Sequence, residues 1–421
     1  MAPGERRALQ WERLQWTLQH VRANVKFYRE RLGDHTLSGL EGLSKLPFTC
    51  KEDLRDQYPF GLLAVPQEAL ARVHATSGTR GKPTLVGYSR RDLMTWSRLC
   101  ARLLTAAGGG AGDRIHIALN YGLFTGGLGI HGGAELLGCT VIPASAGSTQ
   151  QQITLLADLR PQGLKATPSY ALHLAEMAEQ QGIDPRSFGI QYGIFGAEPW
   201  SEAVRDRLEA RFGLTAYDSY GLSEMLGPGV AYECGERDGL HLSEDHFLSE
   251  IIDPKSGRSL PPGEEGELVL TSLTKEAFPL IRYRTGDRTA LLTEPCRCGR
   301  TTARIARLRG RVDEMVIVRG VNLYPSEVER VLLRFPELLP RHQIRVWKKG
   351  ALDAVEALVE ARLSAMATPE LAQRIGAALK RELGVAVGVR FGEVPASEGR
   401  NKALRVIDER YRTDVQGGRR T

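Results

Sequence analysis

From about residue 72 to 225, short apolar runs alternate with helical stretches, and no other feature restricts the fold as much. Residues 115–119, 140–143 and 189–195 read as strands, while 90–107, 150–159 and 201–212 read as helices. Strand and helix in turn argue a mostly parallel sheet, because each crossover lays a helix on the sheet's face. Ahead of this region Leu9, Leu14, Leu18, Val21, Val25 and Phe27-Tyr28 mark one docking helix over 5–32, stopped at Gly33.

The texture changes after residue 235. Pro254, Gly257, Pro261-Pro262-Gly263 and Pro279 punctuate short runs such as 266–271, which predicts a β-rich subdomain. Beyond Arg311 a new unit reads as strand 315–318, helix 326–333, strand 354–361, helix 367–383 and strand 387–391. A chain of 421 residues exceeds one ordinary core. The expected fold is therefore α/β, with a large N-terminal domain over 1–311 and a small α+β lid over 312–421. Its boundary falls between Arg309 and Asp313.

Charge narrows the function classes. The 56 basic and 50 acidic residues leave a net charge of +6, but they are mixed along the chain and read as a solvated surface. We expect no nucleic-acid partner; an anionic small substrate fits the balance as well. No run reaches the ~18 apolar residues of a membrane span, and the N-terminus does not read as a signal peptide. Six cysteines are few for this length, so a disulfide framework is not expected and the compartment reads as cytoplasmic.

Thr76-Ser77-Gly78-Thr79-Arg80-Gly81-Lys82-Pro83 is the sharpest local signal. Glycines and small hydroxyl residues let backbone N–H groups approach phosphate oxygens, and a lysine adds a point charge. It is not a Walker A loop, which needs a different glycine spacing. In Tyr217-Asp218-Ser219-Tyr220-Gly221-Leu222-Ser223-Glu224, Tyr220 suits base stacking and Glu224 suits Mg²⁺. Asp287, at a turn after Gly286, suits a ribose diol, though such a turn is also common without function. Arg311 and the segment Ser397-Glu398-Gly399-Arg400-Asn401-Lys402 place cations near the start and end of the lid.

In this order the segments resemble the adenylate-forming superfamily of acyl-CoA synthetases, peptide-synthetase adenylation domains and luciferases, most nearly the phenylacetate–CoA ligases. Leu46-Pro47-Phe48-Thr49, Tyr121-Gly122-Leu123-Phe124-Thr125-Gly126-Gly127, Ile194-Phe195-Gly196-Ala197-Glu198-Pro199-Trp200 and Asn322-Leu323-Tyr324-Pro325 extend the likeness along almost the whole chain. The resemblance implies two steps: a carboxylate attacks the α-phosphate of ATP, and a thiol then attacks the acyl-adenylate. It assigns Ser77, Gly78, Thr79, Gly81 and Lys82 to the phosphates, and Gly196, Ala197, Glu198 and Pro199 to the adenine wall. Asp218, Ser219, Tyr220 and Gly221 join the nucleotide site, Tyr220 as the stacking ring. Ser223 and Glu224 meet the α-phosphate and Mg²⁺, Asp287 the ribose, and Arg311 supplies a nearby cation. Asp313 is the hinge of the lid. Both steps develop negative charge on phosphorus oxygens, which placed cations and N–H groups stabilise.

Two positions depart from the pattern. Arg80 stands where the family usually has threonine. The family's Ser-Glu-Gly-Lys becomes Ser-Glu-Gly-Arg-Asn-Lys here, so its catalytic lysine is matched by Lys402 two residues late, or by Arg400. The acid site is implied along Asn120, Tyr121, Phe124 and Gly126, with the aromatic pair enclosing a small aromatic acid. If Asn120 faces the pocket, its amide predicts a ring bearing an amino or hydroxyl group. Cys296 and Cys298, with Cys234 seven residues before His241, have the makings of a Cys₃His structural zinc site. His246 is the alternative histidine, and Cys50, Cys100 and Cys139 read as core.

The expected function is ATP- and Mg²⁺-dependent activation of the acid, followed by transfer to coenzyme A. Delivery to a carrier protein or an amine is the first competing reading, and a nucleotide-binding protein without catalysis the second. The assembly is left open between monomer and homodimer.

Overall fold

The computed structural model describes residues 1–76, 84–145, 147–312, 316–318, 321–349, 352–394 and 406–410. The chain divides into one unit of Met1–Trp200 and Arg205–Leu308, and a second from Arg309 on, grouped with Ser201–Val204.

The first unit opens with helices α1 (Pro3–Asn24), α2 (Lys26–Leu32) and α3 (Lys51–Asp56). The single helix expected over 5–32 is broken at Val25, which is extended (φ −115°, ψ 111°) and buries its side chain in the core. Hairpin β1 (Leu70–Ala75) and β2 (Leu85–Ser89) leads into α4 (Arg90–Ala106). Ser89 caps α4 reciprocally with Asp92, satisfying two end donors. Then follow β3 (Arg114–Ile117), α5 (Thr125–Leu137), β4 (Thr140–Ile142), α6 (Thr149–Leu159), β5 (Gly163–Ala166), α7 (Pro168–Gln180), β6 (Tyr192–Gly196), α8 (Glu202–Phe212) and β7 (Thr215–Leu222).

Strands β4, β3, β5, β6 and β7 are adjacent in that order and parallel, as strand–helix alternation predicts. β8 (Gly227–Tyr232), β9 (Leu240–Leu242), β10 (Phe247–Ile252), β11 (Glu265–Ser272), β12 (Tyr283–Leu292) and β13 (Arg304–Ile305) continue the same sheet antiparallel, in the order β8-β9-β13-β12-β11-β10. The β-rich region after residue 235 thus belongs to the antiparallel part of one 11-stranded sheet, which begins already at β8. Sequence patterning shows local strand character but not which edge a strand joins.

Helix α5 is absent from the sequence reading for a physical reason. Its sequence, TGGLGIHGGAELL, is rich in a residue that costs about 1 kcal/mol per position against alanine in a helix interior. Those glycines answer to α4 instead. A Cβ on Gly129 would lie 2.3 Å from the Trp96 ring, and one on Gly133 2.4 Å from Cys100. Close helix contact, visible only in three dimensions, outweighs propensity.

The second unit contains hairpin β14 (Val316–Val318) and β15 (Val321–Leu323), helix α9 (Pro325–Leu332), long strands β16 (Leu338–Lys349) and β17 (Leu352–Ala361), helix α10 (Pro369–Leu383), β18 (Gly388–Phe391) and β19 (Val406–Asp408). Its four-stranded sheet runs β18-β17-β16-β19. Val328, Val331, Ile344, Val346, Ile375 and Leu379 help form a separate buried core. Strand β16 was not foreseen: Pro340 and a register shift between Leu338 and His342 obscure its alternation.

Candidate active site

Parallel strands present their carboxyl ends, with the loops that follow, on one edge of a sheet, where open α/β sheets bind ligands. Three predicted segments lie there: the loop after β3, the end of β6 and the end of β7. At β6, Gly196 pairs with Ser219, and Ala197 adopts φ +69°, a left-handed conformation that side chains rarely take. Ala197 is exposed, with Glu198 and Pro199 half-buried. The Glu198 carboxylate accepts the Ser169 N–H at the start of α7 (2.8 Å), which anchors the wall.

Strand β7 carries the densest network. The Tyr220 hydroxyl donates to Asp287 Oδ2 at 2.7 Å, joining two residues that lie 67 apart in sequence. Ser219 Oγ donates to Phe195 O (2.8 Å) and accepts from Lys165 Nζ (2.9 Å). Burial brings the Lys165 ammonium down to about 8 against the opposing pull of Asp218. Burial raises the Asp218 carboxyl, which the Arg307 guanidinium 3.7 Å away partly offsets. Its backbone N–H donates to Glu233, itself paired with Arg205 at 2.7 Å.

The turn at Ser223 and Glu224 is held from several sides. Tyr88 Oη donates to the Ser223 carbonyl (2.6 Å), and Lys275 Nζ to the Glu224 carbonyl (2.7 Å). Thr125 Oγ1 lies 3.0 Å from Ser223 Oγ, and Tyr283 Oη donates to Glu224 Oε1 at 3.3 Å. Lys275 is wholly buried, over the rings of Tyr88 and Phe278 at 4.9 and 5.4 Å.

On the loop after β3, Asn120 Oδ1 accepts the Gly122 N–H at 2.9 Å. One hydrogen-bonding position of the Asn120 amide is therefore used within its own loop. Tyr121 and Phe124 are half-buried, and Gly126 lies so close under Phe124 that a Cβ there would meet its ring at 2.4 Å. The Leu123 carbonyl accepts from Ala75 N (3.0 Å), tying this loop to the β1–β2 hairpin. Ser77, Gly78, Thr79, Gly81 and Lys82, with Arg80, lie outside the described residues, as do Asp313, Arg400 and Lys402. Arg311 is half-buried in the second unit.

A second cluster gathers Cys234, His241, Cys296 and Cys298, whose ligand atoms all lie within 4.8 Å of one another. Cys234 Sγ and Cys296 Sγ are 3.8 Å apart, and Cys298 Sγ is 3.3 Å from His241 Nε2. Two sulfurs on a tetrahedral ion with bonds of ~2.3 Å would be ~3.8 Å apart, so the donor set fits such an ion. His241 Nδ1 is bound to Thr302 Oγ1 (3.1 Å), which leaves Nε2 for the cluster. His246 pairs instead with Thr274 and Asp245. Cys100 and Cys139 are buried, as expected of core thiols, while Cys50 is only half-buried.

The model of the AMP-binding enzyme family matches residues 9–274, and that of the AMP-binding enzyme C-terminal domain matches 320–410. The chain is an AMP-binding enzyme. It is 48% identical to the phenylacetate-coenzyme A ligase of Thermus thermophilus, over 96% of each chain. It is 50% identical to that of Aromatoleum evansii, over 96% of this chain and 95% of the relative. A 2-hydroxyisobutyryl-CoA ligase solved in the postadenylation state superposes with a TM-score of 0.89 at 30% identity, covering 97% of this chain and 91% of that one.

Lys275, Tyr88, Tyr283 and Lys165 escaped the sequence reading of this AMP-binding enzyme. None stands in a local pattern that marks a site: Lys275 lies between Thr274 and Glu276, and Tyr283 between Arg282 and Arg284. Gly221 was noticed as part of a motif, and the structure supplies its steric reason. A Cβ there would lie 1.8 Å from the Gly227 carbonyl, at the register shift between β7 and β8. Gly221→Ala is expected to destabilise the enzyme by about 2–4 kcal/mol, read as a lower urea midpoint.

Proposed function

We propose that this enzyme uses ATP to convert phenylacetate, or a closely related small aromatic acid, into an acyl-adenylate and then into its coenzyme A thioester. The observation that carries the reading is near-full-length identity of 48–50% to phenylacetate-coenzyme A ligases. In the first step a carboxylate oxygen bonds to the α-phosphorus and pyrophosphate leaves. In the second, the thiolate sulfur bonds to the acyl carbon and AMP leaves.

Ser77, Gly78, Thr79, Gly81 and Lys82 are assigned to the phosphates, and Gly196–Pro199 to the adenine. Asp218, Ser219, Tyr220, Gly221 and Ser223 complete the nucleotide site, with Asp287 on the ribose. Glu224 would hold Mg²⁺, which neutralises phosphate charge when bound. Asn120, Tyr121, Phe124 and Gly126 line the acid pocket. Lys402 supplies a cation from a lid over 312–421 that turns about Asp313, and Arg311, just before that lid, supplies another. Cys234, His241, Cys296 and Cys298 would hold a structural Zn²⁺, since four protein donors leave no open position. No helix among the described residues is long and apolar enough to cross a membrane. We place the enzyme in the cytoplasm.

Pyrophosphate release with ATP and Mg²⁺, across phenylacetates and benzoates and with or without coenzyme A, tests the proposal. Acid-dependent release and a thioester product are expected. Release that coenzyme A never turns into thioester would mean another acceptor, and no release with any acid would end the ligase reading.

A further inference from the structure

We infer that His131 and Glu135, one turn apart on α5, act as positioning residues that set ring selectivity by holding the Tyr121 hydroxyl. The inference rests on the reading that Tyr121 borders the acid. Tyr121 Oη lies 3.2 Å from His131 Nδ1, and the two rings meet edge to face at 5.7 Å and 83°. The other ring nitrogen, His131 Nε2, lies 3.1 Å from Glu135 Oε1. A carboxylate only accepts, so in the neutral imidazole it selects the tautomer with hydrogen on Nε2. Nδ1 is then a bare acceptor, and the phenol must donate to it.

Burial, then the nearby Glu135 charge, raise the Tyr121 phenol above its ordinary range, so that donor proton stays in place. The hydroxyl therefore spends its one proton on His131 and has none for a substituent on the substrate. The ring is pinned as a wall of fixed position.

Packing does not fix His131 from all sides. His131 and Glu135 border a cavity of about 220 Å³ between α4 and α5, lined also by Arg72, Trp96 and Ser97. Orientation thus depends on the two hydrogen bonds. The helix itself is immobilised, because Gly129 and Gly133 rest directly on α4. Fixed backbone with a hydrogen-bonded imidazole gives a selectivity element that reaches the substrate only through Tyr121.

The test is kcat/KM for phenylacetate and for 4-hydroxyphenylacetate in the full-length enzyme and in His131→Leu, Glu135→Ala, Tyr121→Phe and the His131→Leu/Tyr121→Phe double variant. Releasing one neutral hydrogen bond should raise the hydroxylated-to-unsubstituted ratio about 2- to 10-fold in His131→Leu, and less in Glu135→Ala. Because His131 acts through the Tyr121 hydroxyl, its substitution should change nothing further in the Tyr121→Phe background. A ratio moved by Tyr121→Phe but by neither His131→Leu nor Glu135→Ala overturns the inference and spares the pocket assignment. Additive effects in the double variant overturn it too. A ratio unmoved by Tyr121→Phe removes Tyr121 from the acid pocket altogether. Glu135 is mostly solvent-exposed, so Glu135→Ala decides the matter if the histidine variant fails to fold.

Discussion

Lys275→Met is expected to slow acid-dependent pyrophosphate release about 10- to 100-fold, because the Glu224 carbonyl would lose its buried hydrogen-bond donor. Asp92 explains how that donor is delivered. Its carboxylate accepts from Glu276 N (2.6 Å) and Ala277 N (2.9 Å) as well as capping α4, so the segment carrying Lys275 is fastened to the helix. From there Nζ reaches the Glu224 carbonyl, while Tyr88 reaches that of Ser223. With the lysine gone, one carbonyl is left buried without its partner, and the turn that carries the proposed Mg²⁺ ligand shifts.

Stability should respond differently. Burial brings the Lys275 ammonium down from 10.5 to about 7, although Asp92 and Glu224 pull it up. Between those values the unfolded chain holds a proton that the folded protein gives up, so this group makes stability rise with pH from about 7 to 10.5. Below about 7 the lysine must be buried charged, and its contribution is least favourable. Methionine has no such penalty, so the variant should lose that rise while remaining folded. Urea unfolding of both proteins at pH 7, 8 and 9 measures the difference. A parallel pH dependence in the two would show that Lys275 does not titrate in this range, and unchanged pyrophosphate release would show that it does not support the turn.

The second large effect is on stability through the cysteine cluster. Chelation, or Cys296→Ser, is expected to lower Tm by about 5–10 °C. Cys234 follows β8, His241 lies in β9, and Cys296 and Cys298 sit between β12 and β13. A tetrahedral ion on these four would clamp three parts of the antiparallel half of the sheet. The surroundings already favour thiolate at one position: burial would raise Cys298, but hydrogen bonds from Arg300 bring it down to about 7. The thiol of Cys234, by contrast, is pushed up by burial to about 11. Differential scanning fluorimetry with and without chelator, beside elemental analysis for one zinc per chain, checks the prediction. A protein without zinc, and with a Tm indifferent to Cys296→Ser, would make the cluster ordinary packing.

The sequence alone determined the α/β class, since strand–helix alternation over 72–225 leaves few alternatives to a parallel sheet with covering helices. Collinear motifs around Ala197, Tyr220 and Asp287 likewise pointed to the AMP-binding enzymes before any coordinate. The spacing of Cys234, His241, Cys296 and Cys298 proposed a cluster, which the fold brings within 4.8 Å. Tertiary structure alone decided that the parallel and antiparallel regions form one sheet, because pairing between distant strands leaves no local mark. It decided the helix over Thr125–Leu137, where contact with Trp96 and Cys100 overrides the poor propensity of glycine. It also decided the partners of the Ser223–Glu224 turn. Lys275 sits beside Glu276 in a mixed polar segment that reads as a surface turn, and its meaning comes from a carbonyl 51 residues away at 2.7 Å. Patterns within a segment record local conformation and burial; a functional contact between segments becomes definite only when the backbone brings its two ends together.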